Sequence, residues 1–318
     1  MFQAFLCLLL FSMKENIKIF DFFYEKLLSV TTKHKIEKIF VSIAIISFLL
    51  HLIIIGLNDF DIIKINDKSS LLSNPIAAIY TPFSFILIYE VYLLVYYLPR
   101  STTIYIGKQY EIITLIIIRR IFKDLSKLDF TENWLTSKMN INFALDLLAT
   151  IILFYLIYVF YKLNKTNESN QLKIQKTISV TNFIKLKNVL AMLLLPIFLS
   201  LSIYSLSHWI YESFFSISAL VKSIKDVNKI FFDEFFTVLI LIEVLILLFS
   251  FFLTDKFSKV IRNSGFIIST ILIKVSFGTE GFLNTILIII AVLFGVIILY
   301  IHNKYESQEV VVVNKFEL

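Results

Sequence analysis

Glu90 and Glu243 are the residues best placed to do chemistry. Each interrupts a long apolar run, IAAIYTPFSFILIYEVYLLVYYL around the first and FFTVLILIEVLILLFSFFL around the second. A carboxylate inside hydrocarbon costs at least ~2.5 kcal/mol on insertion scales, so it must face a bundle interior and be protonated or paired. One reading makes these acids a cation or proton site. The other makes them structural, each held by a base on a neighbouring helix. The residues themselves weigh the two readings equally.

The bases come from the segment Ile104–Phe122, which carries Lys108, Glu111, Arg119 and Arg120. On a helix, Lys108, Glu111 and Arg119 fall within an arc of about 80°, a charged stripe that cannot face lipid over its whole length. Lys108 and Glu111 are three apart and can pair, which leaves Arg119 to find another partner. Arg119 and Arg120 stand at a helix end, where snorkelling to headgroups is the expected behaviour, above all for Arg120. A second short segment, Phe266–Phe277, carries Lys274. Short charged segments in corresponding places of two halves are a sequence pointer to a transporter's binding site. Asp146 reads as a residue reaching the interface, and His51 as a packing histidine in an apolar span.

Other chemistries lack their residues. There is no Gly-rich phosphate loop, HExxH pair or Ser-His-Asp arrangement. There is no filter sequence and no regularly spaced basic helix. Cys7 is the only cysteine, so no internal disulfide forms. The four histidines show no metal-ligand spacing. No cofactor, metal, enzyme activity or nucleic-acid partner is expected.

The elements that must position these charges are membrane helices. The chain of 318 residues is 58% hydrophobic and 17% charged, with a mean hydropathy of +0.83. A soluble domain carries about 25% charged residues. A span needs about 20 mostly apolar residues, and six stretches qualify: Ile39–Leu57, Ile76–Leu98, Phe143–Tyr161, Val189–Leu206, Phe235–Leu253 and Phe282–Ile301. The segments Ile104–Phe122 and Phe266–Phe277 are short spans or interfacial helices, and charge counting decides between them. If both cross, with the N-terminus inside, the inner side holds 19 Lys plus Arg and the outer side ten, as the positive-inside rule requires. If neither crosses, the Lys-rich stretch 162–188 faces outward. The expectation is an all-α polytopic integral membrane protein of about eight transmembrane helices, with both termini cytoplasmic.

The eight spans divide into two sets of four. Glu90 aligns with Glu243, and Leu98–Phe122 aligns without gaps on Leu253–Phe277, seven of 25 positions being identical, with Arg119 over Lys274. An even number of spans per set inserts both the same way up, as parallel repeats. The expected organisation is a cytoplasmic N-terminal segment (1–38), a four-helix unit (39–161), a flexible cytoplasmic linker (162–188), a second four-helix unit (189–301) and a cytoplasmic tail (302–318). Residues 1–12 are apolar but too short to span, and a start of translation at Met13 explains them best. Pro82 and Pro196 are expected to bend their helices. The four valines Val310–Val313 suit either an added strand on a partner's sheet edge or, preferably, a frayed tail.

Two functions follow. The first is translocation of an ion or small solute along a polar path between the units, lined by Glu90, Glu243, Lys108, Glu111, Arg119 and Lys274. The second is a non-transporting scaffold or sensor subunit that binds another membrane protein through its charged third helix. Besides the lipid bilayer, these are the expected partners. Abundant Ile, Lys, Asn and Phe suit an AT-rich bacterial genome and hence a bacterial inner (plasma) membrane.

Overall fold

The computed structural model describes residues 22–60, 75–125, 138–168, 178–214, 227–251, 257–279 and 281–316. Within them the chain builds eight long helices and no strand. These are α1 (Val30–Asp59), α2 (Tyr80–Tyr97), α3 (Thr102–Leu125), α4 (Lys138–Glu168), α5 (Ile178–Phe214), α6 (Val227–Phe251), α7 (Phe257–Phe277) and α8 (Phe282–Phe316). Ser29 caps α1, its hydroxyl accepting from the Thr32 N–H at 3.1 Å, which satisfies one orphan donor of the first turn. A 3₁₀ turn over Pro75–Ile79 leads into α2.

The helices run alternately up and down. Lys33 near the start of α1 donates to Tyr97 at the end of α2, and Asn303 late in α8 donates to the Leu163 carbonyl late in α4. Lys187 in α5 donates to the Arg100 carbonyl between α2 and α3. We call this the lower face. The upper face carries the end of α3 and the starts of α4 and α8, joined through Arg120, Asp146 and Asn284.

Packing follows this alternation. Successive helices pair from α1 to α4 and from α5 to α8, while α2 packs on α5, α4 on α8, and α8 also touches α3. The α7–α8 turn is tight, with Gly281 at φ 60°, a conformation open to glycine at no steric cost. Gly295 lets α8 approach α3, since a Cβ there would lie 1.8 Å from the Tyr110 hydroxyl. α7 turns a stripe of small residues inward, Ser258, Gly265, Ser269 and Ser276, all buried.

The polarity is inverted relative to a water-soluble bundle. Ile151, Phe154, Tyr155 and Tyr158 of α4 are exposed, as are Ile45, Ile46, Leu49 and Leu50 of α1. Glu90, Gln109, Arg119, Asp146 and Glu243 are buried. An apolar exterior this extensive is what a lipid solvent permits and water does not. Among the described residues, six helices are long and apolar enough to cross a membrane: α1, α4, α5, α6, α7 and α8. The protein is therefore read as a multi-pass helical membrane protein. α2 is apolar but shorter, with 17 qualifying residues. α3, at 24 residues, spans about 36 Å, but its charges keep it outside the apolar class.

Several expectations change. Pro82 sits in the first turn of α2, where few helical hydrogen bonds are lost to its missing N–H. Pro196 is inside α5. Val310–Val313 continue the backbone of α8 and form neither strand nor frayed tail. α4 and α5 run into the stretch 162–188 from both sides, leaving 169–177 outside the described residues. The reading of residues 1–12 also lies outside them.

Candidate functional site

α3 carries polar groups on two faces, and each face meets different helices. The stripe of Lys108, Glu111 and Arg119 looks into the seam between α2 and α4. Lys108 Nζ donates to both Glu111 oxygens, at 2.9 and 2.7 Å, as their spacing predicts. Tyr161 of α4 donates to Glu111 Oε1 at 2.6 Å, and the Lys108 ammonium stands 5.3 Å from the Tyr97 ring centre. Higher up, Arg119 Nη2 donates to Glu90 Oε2 at 3.0 Å. Both of these side chains are almost fully buried.

Arg119 does not snorkel. It is the base that neutralises Glu90, and its Nε and Nη1 have no hydrogen-bond partner among the described residues. Arg120 does not reach for headgroups either. Nε and Nη2 grip the two Asp146 oxygens at 2.5 and 2.7 Å, Nη1 donates to Asn284 Oδ1 at 2.6 Å, and Nη2 also reaches Thr285 at 2.8 Å. Asp146, expected at the interface, is 3% exposed, because this bidentate grip returns the hydrogen bonds it loses to burial. His51 does pack internally, bonded to Thr81 of α2.

The other face of α3 meets α6, α7 and α8. Gln109 Nε2 donates to Glu243 Oε1, and Thr270 Oγ1 of α7 donates to Gln109 Oε1 at 3.0 Å. The amide is thus held in one orientation. At the next residue, Tyr110 bonds Ser269 at 2.8 Å, and Ser269 donates onward to the Ala291 carbonyl at 2.6 Å.

Glu243 differs from Glu90. No cation stands within ion-pair distance of it among the described residues, and its Oε2 has no hydrogen-bond partner. The hydroxyl of Tyr105 faces this carboxyl without the geometry of a formed hydrogen bond. Both line a small cavity of about 30 Å³ toward the lower face, together with Thr102, Lys187 and Asn263. A space of that size admits one or two waters. Above it, Tyr110, Ile113 and Ile117 are fully packed, and about 15 Å of helix separates Gln109 from Arg119.

The six residues singled out in the sequence therefore divide. Lys108 joins Glu111, Arg119 joins Glu90, and Glu243 joins residues the charge pattern did not mark. Lys274, aligned with Arg119, is partly buried on α7 and belongs to none of these pairs. Sequence reasoning missed Tyr105, Gln109, Thr270, Asn284 and Thr285. The small-residue stripe of α7 was the available signal for a close inner face, but nothing in one sequence pairs α7 with Gln109.

Among the described residues no group of three His, Cys, Asp or Glu could hold a metal. Comparisons with family models, curated proteins and solved structures return no match, so the chemistry of the site is the ground for its reading.

Proposed function

We propose that the protein translocates an ion or small solute through its helix bundle along α3, with Glu243 as the binding point. The observation that carries this reading is a buried carboxyl that borders a small cavity and has no cation within ion-pair distance among the described residues. A merely structural acid would resemble Glu90, whose charge Arg119 cancels. An uncompensated charge at that depth is expensive and marks substrate and ion pathways.

In this reading all eight helices cross. α2 and α3 cross as well, although α3 is too charged to face lipid, because its charges meet partners on α2, α4 and α8. Both termini then lie on the lower side, which is cytoplasmic, in a bacterial inner membrane. The units α1–α4 and α5–α8 form parallel repeats with the path between them. What supports this is the repeated helix order and the α4–α8 contact across the units. The packed layer at Tyr110, Ile113 and Ile117 closes the path upward, so passage requires α3 to move against α7 and α8.

The alternative, a scaffold or sensor binding a partner through α3, needs the charged stripe to face outward. Lys108 and Glu111 pair with each other and Arg119 is bonded to Glu90, which weighs against it.

The test is flux in reconstituted vesicles across a panel of cations and small solutes. Glu243→Gln is expected to abolish the flux that the native protein shows. Native-like flux in that variant, or no flux of anything in the native protein, would remove the reading.

A further inference from the structure

We propose that the Glu243 pocket is a proton-binding site, in which the carboxyl takes up a proton at Oε2 and shares it with the Tyr105 hydroxyl. This deepens the transport reading by naming the species. It rests on that reading only for the onward movement of the proton, since binding is measurable without flux.

Glu243 is buried, so its charge needs a positive partner. Its Oε1 already accepts from Gln109. The side-chain oxygens that face the cavity without a formed bond are Glu243 Oε2, Tyr105 Oη and Thr102 Oγ1. Gln109 Oε1 is taken by Thr270, and Asn263 Oδ1 by Arg262 at 3.0 Å. A hard cation needs roughly six or more oxygen ligands, and these side chains offer three. A proton needs one atom to bond and one to receive it. The cavity has room for the water that delivers it.

The charge balance is simple. A hydronium ion from the lower aqueous phase breaks one O–H bond to give its proton to Oε2 and leaves as water, and the carboxylate goes from one negative charge to none.

The surroundings agree. From α3, Tyr105 and Tyr110 face the carboxyl. From α5, Lys187 borders the cavity with its ammonium turned to the Arg100 carbonyl, 3.0 Å away. From α7, the polar groups at the site are Thr270 and Asn263. Beyond Asn263, Arg262 is bonded to His302 at 3.1 Å. Burial within an apolar bundle opposes the charge and drives uptake.

Infrared difference spectroscopy on the full protein in lipid vesicles, between alkaline and acidic buffer, tests the site. The native protein is expected to show the C=O band of a buried protonated carboxyl, growing as pH falls. Glu243→Gln should lose that band, and Glu243→Asp should retain it with a shifted frequency. Tyr105→Phe should keep the band and displace its frequency, a readout that holds even if the Gln variant misfolds. A native protein without the band, a Gln variant that keeps it, or a Tyr105→Phe band at the native frequency would overturn the proposal. The band without proton flux would leave this site standing and remove the transport reading. Flux without the band would do the reverse.

Discussion

At the scale of residues, two acids of the same type in similar surroundings end up with different partners. Glu90 receives one bond from Arg119, whose remaining donors are buried and unpartnered. Removing one member of such a pair strands the other charge. Glu90→Leu or Arg119→Leu alone is therefore expected to lower stability by about 3–5 kcal/mol, whereas the double Leu variant loses far less. Thermal unfolding in detergent, followed by circular dichroism, measures this, and equal losses in singles and double would contradict the pairing. Glu243→Gln belongs to the other category. It is isosteric and removes no charged partner, so its unfolding is expected to stay close to native while flux is lost. The presence of intramembrane acids was legible in the sequence, and so was the Lys108–Glu111 pair, which is local. Arg119 with Glu90 was not, because they are 29 positions apart and only packing decides which of several bases an acid meets.

Among the elements, α3 is the helix on which others converge. Arg120 ties it to both α4 and α8 through a planar fork that grips Asp146 while reaching Asn284 and Thr285. A lysine keeps the charge but not the fork. Arg120→Lys is therefore expected to destabilise by about 1–3 kcal/mol, the worth of charge-assisted bonds left unmade. Asp146→Asn in the same background should add little, because the two sites share one network. At mid-bundle, α8 reaches α3 through Gly295, and the Tyr110 hydroxyl occupies the place of a β-carbon. Gly295→Ala is expected to cost about 1–3 kcal/mol by overpacking. Tyr110→Phe in the same chain should recover part of that, and simple additivity of the two would show that the contact is not the cause. The charged stripe of α3 was readable from helical periodicity. That it faces the α2–α4 seam, while Gln109 faces α6 and α7, was not, since periodicity gives a face and not its neighbour.

For the whole molecule, the alternation of helices makes a topological prediction. With Cys7 replaced by Ser, single cysteines at Phe60 and Gly278 should be labelled from one side of sealed vesicles by a membrane-impermeant maleimide. Cysteines at Ser101 and Ser307 should be labelled only from the other. Ser101 labelled together with Phe60 would mean that α2 does not cross, and the eight-span arrangement would fall. The apolar exterior and polar interior also predict that the protein aggregates when detergent is removed without lipid, because no polar surface replaces the bilayer contact.

What the sequence alone determined is the solvent. Runs of about 20 apolar residues must fold as helices in lipid, where the backbone has no water to bond, and that inference needs no knowledge of neighbours. The same reasoning required the intramembrane charges to turn inward. Tertiary structure alone decided where inward leads: Arg119 to Glu90, Arg120 to Asp146, and Glu243 to an amide and a small cavity instead of a cation. The physical reason is range. Burial and periodicity act along a few turns of one helix, whereas pairing depends on which surfaces from distant parts of the chain come within about 3 Å, the reach of a hydrogen bond.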